Sequence, residues 1–224
     1  MEDDAGVPPA TSEKVDSAVR LAVHGAELTS QLLSFARKQA LRPDQIDLRG
    51  FLEDFHGMLA RTLGPRIKID LVVDEPGLSV WADKSHLRNA LLNIAINARD
   101  AMPSGGLLRF EASALRTAAT SEPADGELEG MAMIRITDTG TGIAPEHLAK
   151  VCDPFFSTKG LNGTGLGLSS VHGFAEQSGG TLRITSEQGK GTCVELWLRR
   201  APIRSVTPDL LTSASQPAPA SASR

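Results

Sequence analysis

The sequence predicts an α+β fold, a two-layer α/β sandwich in which a mixed, mainly antiparallel sheet is covered on one face by three helices and preceded by one long helix. Two observations carry this. Several short runs alternate apolar and polar residues with period two, and longer segments between them repeat apolar residues at steps of three and four. Strands and amphipathic helices in that mixture bury each other as two layers around one core.

Residues 1 to 11 carry acidic, Gly and Pro residues without periodicity and are expected to be disordered. A helix is expected over 12 to 42. Val15, Val19, Ala22, Ala26, Thr29, Leu33 and Ala36 form one stripe, and Ala18, Leu21, Gly25, Leu28, Leu32 and Phe35 form a second beside it. Ser12 is its candidate N-cap and Arg42-Pro43 its stop. So wide an apolar face calls for another copy or for a helix this chain does not contain, unless the helix folds back on the main domain.

The main domain is expected over 45 to 200. It opens with a short strand at 46 to 48 and a helix over 51 to 62, with Leu52, Phe55, Met58 and Leu59 inward. Ile67, Ile69, Leu71 and Val73 alternate in a half-buried strand, and 78 to 81 is the next strand after the Glu75-Pro76-Gly77 turn. Asp83 caps a long helix to about Met102, which Pro103-Ser104-Gly105-Gly106 ends. Strands at 107 to 112 and 131 to 137 flank a polar insert, 113 to 130, that reads as a hairpin loop. A short helix over 145 to 151, an irregular stretch to Gly163 and a helix over 165 to 178 follow. Two strands, 181 to 186 and 192 to 198, close the domain, and the Pro-, Ser- and Ala-rich tail from 201 to 224 is expected to be disordered.

Composition narrows the function classes. The 224 residues are 41% hydrophobic, enough to bury one domain plus an appendage. A net charge of -4 gives no basic footprint for nucleic acid, and no apolar run is long enough to span a bilayer. The acidic start, Met1-Glu2-Asp3-Asp4, has the wrong sign for a secretory signal, so a cytoplasmic protein without direct membrane insertion is expected. Cys152 and Cys193 lie far apart without metal-ligand spacing and read as free thiols; the five histidines suggest no zinc site.

The chemistry concentrates in two glycine-rich turns and one helix. Gly163-Thr164-Gly165-Leu166-Gly167-Leu168 leads into Leu168, Val171, Phe174 and Ala175 at helical spacing, so its amides lie near a helix N-terminus, which attracts phosphate. A tight loop before a helix would show the same glycines. Neither a Gly-x-x-x-x-Gly-Lys-Ser/Thr loop nor a strand-led dinucleotide fingerprint is present. On the helix from Asp83, Leu87, Leu91, Ile94, Ala98 and Ala101 form the buried stripe, with Asn93, Asn97 and Asp100 four and then three apart to one side. Asparagine is a poor helix former. Two of them there either face a metal-phosphate cluster, since magnesium takes hard oxygen ligands, or hydrogen-bond a neighbouring loop.

Four segments converge in order: Asn93-Ile94-Ala95-Ile96-Asn97-Ala98-Arg99-Asp100, Asp138-Thr139-Gly140-Thr141-Gly142-Ile143, Asp153-Pro154-Phe155-Phe156-Ser157-Thr158-Lys159 and Gly163 to Leu168. Together they resemble the N, G1, F and G2 boxes of the catalytic ATP-binding domain of sensor histidine kinases, a superfamily that also holds gyrase, mismatch-repair and heat-shock chaperone ATPases. The resemblance covers roughly 45 to 200 and implies ATP and Mg2+ as cofactors. It implies that Asp138 accepts a hydrogen bond from the adenine amine, a charge-assisted bond worth about 1.5–3 kcal/mol, while Gly140, Gly142 and Ile143 pass close to the base. Asn97 would supply the metal oxygen, with Asn93 near the phosphates and Asp100 beside them; Asn93, Asn97 and Lys159 are the catalytic set it implies. The stretch 144 to 163 would be a mobile lid anchored by Phe155 and Phe156, with Thr158 at the nucleotide and Lys159 on a phosphate. Gly163, Thr164, Gly165, Leu166, Gly167 and Leu168 would wrap the phosphates.

One departure separates branches of that superfamily. Where its ATP-hydrolysing members carry a glutamate that activates water, this chain has Asn93, and an amide cannot act as a general base. That suits transfer of the γ-phosphate to a protein side chain, where positioning and charge neutralisation do most of the catalysis. Residues 15 to 40 resemble the second helix of the dimerisation hairpin of these kinases, so a dimer through 12 to 40 and a histidine-bearing partner helix are expected, with a response regulator or receiver domain downstream. The first helix of that hairpin, which carries the acceptor histidine in the family, is expected to come from outside these residues. His24 precedes Gly25 rather than an acidic residue, and His56, His86, His147 and His172 read as surface or packing residues. Two other readings remain: a non-catalytic nucleotide-binding partner that heterodimerises with a full-length kinase, and a serine kinase of the anti-sigma type, against which the hairpin-like helix argues.

Overall fold

Two aspartates decide where the first helices begin. In the computed structural model, which describes residues 41–114, 130–159 and 163–201, strand β1 (Asp44–Asp47) runs directly into helix α1 (Leu48–Leu63). Asp47 caps α1 by accepting a hydrogen bond from Gly50 N at 2.8 Å. Strand and helix therefore both begin earlier than their apolar residues suggest, and Leu48, expected in the strand, is the first helical residue. β2 (Ile67–Val73), β3 (Ser79–Ala82) and helix α2 (Lys84–Ala101) follow, then β4 (Gly106–Ala114), β5 (Met131–Asp138), a one-turn helix α3 (Pro145–Leu148), α4 (Gly167–Gln177), β6 (Thr181–Glu187) and β7 (Gly191–Arg199). α3 stops short of the expected end at 151, and α4 begins two residues later than expected.

The strands form two sheets rather than one. β1 and β3 make a separate antiparallel ribbon, and the main sheet has the order β2-β4-β5-β7-β6. Only the β2–β4 pair is parallel. The chain between those two strands crosses over through β3 and α2, as a parallel pair requires. Alternate residues of the central strands, among them Leu108, Phe110, Ile134, Ile136, Leu196 and Leu198, are fully buried. They pack against Leu52, Phe55 and Leu59 of α1, Leu87, Leu91 and Ile94 of α2, and Val171 and Phe174 of α4. The mixed sheet with its helices matches the predicted sandwich. The opposite face carries cross-strand ion pairs, Arg109 to Asp70 and Arg135 to Glu195, both at 2.8 Å.

The expected long helix at 12 to 42, except for its last two residues, and nearly all of the insert at 113 to 130 and of the tail from 201 lie outside the described residues. Among those described, no helix is long and apolar enough to cross a membrane.

α2 is the element that positions the chemistry, and Asp83 fixes its start. Asp83 Oδ1 accepts from Ser85 N (2.9 Å) and His86 N (3.0 Å), while Oδ2 accepts from Arg42 N (3.0 Å), tying the entering chain to the same carboxylate. Burial pushes the Asp83 carboxyl up, but the bonds from His86 and Arg42 and the adjacent His86 ring outweigh it and hold the group far below the usual carboxylate range. A depressed pKa contributes stability that is present above the unfolded value, about 3.9, and lost as pH falls below it. Asp83→Ala is therefore expected to lower the unfolding free energy by about 1–2 kcal/mol at neutral pH. In urea unfolding the gap to the parent should shrink as the pH drops below about 4.

Candidate nucleotide site

The site forms around the C-terminal half of α2. Asn97 and Asp100 are three residues apart and so share one side of the helix. Lys159 reaches both: its Nζ donates to Asn97 Oδ1 at 3.0 Å and to Asp100 Oδ2 at 2.8 Å. Arg99 binds the other oxygen of Asp100, with Nη2 at 2.9 Å. Burial raises the Asp100 carboxyl, but Lys159 and Arg99 more than offset that and hold it below its ordinary value. The first residue of α4, Gly167, lies against the same place, since a Cβ there would stand 3.4 Å from Asn97 Nδ2. Asn93, one turn earlier, is half-buried and makes no side-chain hydrogen bond among the described residues.

A second cluster forms where β5 ends. Asp138 is only 7% exposed. Its Oδ1 accepts from Gly140 N (2.8 Å) and Thr192 N (3.3 Å), which leaves Oδ2 without a partner among the described residues. Burial pushes the Asp138 carboxyl up, only partly countered by those two amides. The loop after Asp138 is stitched to α2 and to the β6–β7 hairpin. Thr141 N donates to Ala101 O (3.0 Å), Gly189 N to Thr141 O (2.7 Å), and Ile143 N to Ser186 Oγ (2.8 Å). Gly142 has φ +67 and lies directly on the Glu187 carbonyl, so this crossing excludes any side chain.

The stretch expected to form a lid departs from expectation at Phe155. Phe155 does not anchor it with its ring, which is 63% exposed on a backbone at φ +68. It is held through the main chain instead: Phe155 N donates to Gly165 O (3.0 Å), and Gly165, at φ +66, sits against the Phe155 backbone where a Cβ has no room. Phe156 does pack, its ring 5.6 Å from that of His147. Thr158 is exposed. Gly163 lies beside Ser157 and Lys159, Thr164 Oγ1 accepts from Leu166 N (3.3 Å), and Leu166 is buried while Leu168 packs against the core.

The structure thus gathers Asn97, Asp100, Lys159 and Gly167 at one end and Asp138, Gly140, Gly142 and Ile143 at the other, with Ala101 joining them. Sequence reasoning missed Thr192 and Ser186. Only the β6–β7 register, which sets Ser186 opposite Thr192, brings them to the Asp138 loop, and no local motif signals that. A groove of about 390 Å³ touches Asp138 from behind. Its residues Thr137, Cys193 and Thr185 are cross-strand neighbours that alternate with the core positions, so they face away from the helices.

The geometry fits a magnesium nucleotide. Two hard oxygens, Asn97 Oδ1 and Asp100 Oδ2, already hold a cation, the Lys159 ammonium. Among the described residues no group of three or more His, Cys, Asp or Glu could hold a metal alone. At the other end a buried carboxylate with one unpartnered oxygen suits an amino-bearing base.

Comparison with known proteins identifies the family. Residues 82–202 match the family model described as histidine kinase-, DNA gyrase B-, and HSP90-like ATPase. The sensor kinase CckA of Brucella abortus is 40% identical over 181 residues, which is 78% of this chain and 19% of CckA. The sensor histidine kinase ZraS of Escherichia coli is 31% identical over 172 residues, 76% of this chain and 34% of that protein. The chain therefore spans about a fifth of the length of the first of these relatives and about a third of the second. Among solved structures, full-length ShkA in complex with AMPPNP superposes with a TM-score of 0.67 at 27% identity, over 89% of this chain and 41% of that one. With the fold, the clusters on α2 and at the end of β5, and the family match in agreement, the chain belongs to the histidine kinase-, DNA gyrase B- and HSP90-like ATPase family, and its described part is a histidine kinase type catalytic ATP-binding domain.

Proposed function

We propose that residues 45 to 200 are the ATP-binding catalytic module of a two-component sensor histidine kinase and that it passes the γ-phosphate of ATP to a histidine on a dimerisation helix. The observation that carries this is the oxygen pair on α2, Asn97 Oδ1 and Asp100 Oδ2, occupied by the Lys159 ammonium at 3.0 and 2.8 Å. Asn97 Oδ1 would hold Mg2+ as its protein ligand, with Asp100 beside it at the nucleotide. The ion would neutralise charge on the phosphate oxygens. Lys159 then moves to a phosphate, and the glycine segment before α4 supplies amides to the rest of the chain of phosphates. Asp138 Oδ2 accepts from the adenine amine. With Asn93 in place of a general base, water is poorly activated, and a docked imidazole is the better acceptor.

The acceptor helix, a dimer through 12 to 40, a response regulator or receiver domain as the next phosphate carrier and a cytoplasmic location belong to this reading. The test is to incubate the chain with magnesium and γ-labelled ATP, alone and with an ATPase-dead form of CckA. Acid-labile label on the added protein supports transfer in trans. Tight ATP binding without any such label would favour instead the nucleotide-binding partner that regulates a kinase by heterodimerising with it.

Two substitutions test the site itself. Asn97→Ala should weaken ATP binding about ten-fold when magnesium is present and leave it nearly unchanged in EDTA, as read by calorimetry; equal losses in both would remove Asn97 from the metal. Asp138→Asn should weaken ATP binding about ten-fold to a hundred-fold. Its Oδ1 bonds can persist, and an acid whose pKa is raised on folding costs stability wherever it is ionised, so the melting temperature of Asp138→Asn should not fall. For the same reason ATP affinity of the parent should decline on acidification at a pH above the ordinary carboxylate value of about 3.9, because protonation removes the acceptor.

A further inference from the structure

Ser186 sits on β6 outside all four glycine and asparagine segments, yet its hydroxyl joins three elements. It has one proton and two lone pairs. Ile143 N donates to it at 2.8 Å, it donates to Gly191 O at 2.9 Å, and Thr192 Oγ1 lies at 3.0 Å. Since the single proton goes to Gly191, the Thr192 hydroxyl is the donor in the third contact, and the capacity of Ser186 Oγ is filled. Each partner bears on Asp138. Ile143 ends the loop that begins there, Gly191 packs on the Asp138 carbonyl, and Thr192 donates its backbone N–H to Asp138 Oδ1. That last bond, at 3.3 Å, is near the long limit, so a small shift of Thr192 breaks it and leaves Gly140 N alone on Oδ1.

We propose that Ser186 is a positioning residue for base recognition: its hydroxyl sets the Asp138 carboxylate and the loop at Ile143 in one geometry, and thereby sets the preference for a purine with an exocyclic 6-amino group. The proposal rests on the reading of Asp138 as the adenine acceptor. Without Oγ, the Ile143 N–H, the Gly191 carbonyl and the Thr192 hydroxyl all lose a partner in a half-buried joint. The loop relaxes toward water and Asp138 Oδ2 loses its fixed direction. The phosphate end, on α2 and α4, keeps all of its contacts.

The discriminating ligand is purine riboside 5′-triphosphate, which has the phosphates and ring of ATP but no 6-amino group. Calorimetry on the full chain would compare it with ATP for the parent, Ser186→Ala and Ser186→Thr. The parent is expected to prefer ATP by about ten-fold. Ser186→Ala should lose about ten-fold in ATP affinity and less than about two-fold for the analogue, while Ser186→Thr, which keeps the hydroxyl, stays near the parent. Equal losses for both ligands, or no loss, would overturn the proposal by making the residue merely structural or idle. A parent that binds both nucleotides equally defeats the Asp138 reading and the proposal together, a different result from the other two. Should Ser186→Ala fail to fold, Thr192→Val removes one partner while keeping the Thr192 N–H, and it must show the same selective loss in smaller measure.

Discussion

A carboxylate buried at the end of a central strand is the constraint from which the rest of the site follows. Asp138 is 7% exposed, and burial alone disfavours its charge. The fold answers with two backbone amides on one oxygen and none on the other. Supplying them requires the chain to turn back at once through Gly140 and requires β7 to begin where Thr192 can reach. The hairpin turn from 188 to 190 is thereby held against the Asp138 loop, and Gly189 N to Thr141 O closes the joint. A carboxylate satisfied on both oxygens would be better buried but could recognise nothing. Its half-satisfied state leaves Oδ2 as an open acceptor among the described residues.

α2 converts that local arrangement into a site with two ends. Its start is fixed by the Asp83 cap, which also holds the incoming chain at Arg42, and its end is fixed by Ala101 O accepting from Thr141 N. Between those points the helix is straight packing surface on one side and the Asn97–Asp100 oxygens on the other. The Asp138 cluster and the Asn97–Asp100 oxygens are therefore spaced by one helix rather than by loops. The same carboxylate thus ties Arg42, at the start of the described chain, to the first turn of the helix that carries the oxygens.

How much of this could be read from the residues depends on whether the information was local. α2 was legible because Leu87, Leu91, Ile94 and Ala98 repeat at helical spacing after an aspartate cap, β2 because Ile67, Ile69, Leu71 and Val73 alternate, and the other main strands as short apolar runs bounded by turn residues. The β1–β3 ribbon was not, since four residues at 44 to 47 find their partners at 79 to 82 and nothing nearby announces it. The α1 boundary was misplaced for a related reason: Asp47 ends a strand and caps a helix at once, so no turn separates them. Asp138, Asn97, Asp100 and Lys159 were legible as motif residues, and the structure brings the last three into contact. Ser186 and Thr192 were not, because their relation to Asp138 exists only through strand register. Phe155 was misread as an anchor, since an aromatic in a polar loop usually packs; a left-handed backbone at a non-glycine residue leaves no trace in composition.

Phe155 also shows how the lid is built. A left-handed non-glycine residue costs on the order of 1–3 kcal/mol, and it persists only where its surroundings over-determine it. Here the surroundings are the Gly165 carbonyl and a glycine backbone stacked directly on Phe155, so the strain is borne by contact between the lid and the glycine segment before α4. The same lid carries Lys159, whose ammonium bridges the two oxygens of α2. Lid, glycine segment and helix are therefore held as one unit by a charge bridge and a strained main-chain contact, neither of which uses a buried side chain. The bridge lies near the surface, with Lys159 37% and Asp100 31% exposed, so a competing cation from solvent would displace the ammonium without requiring a core residue to move.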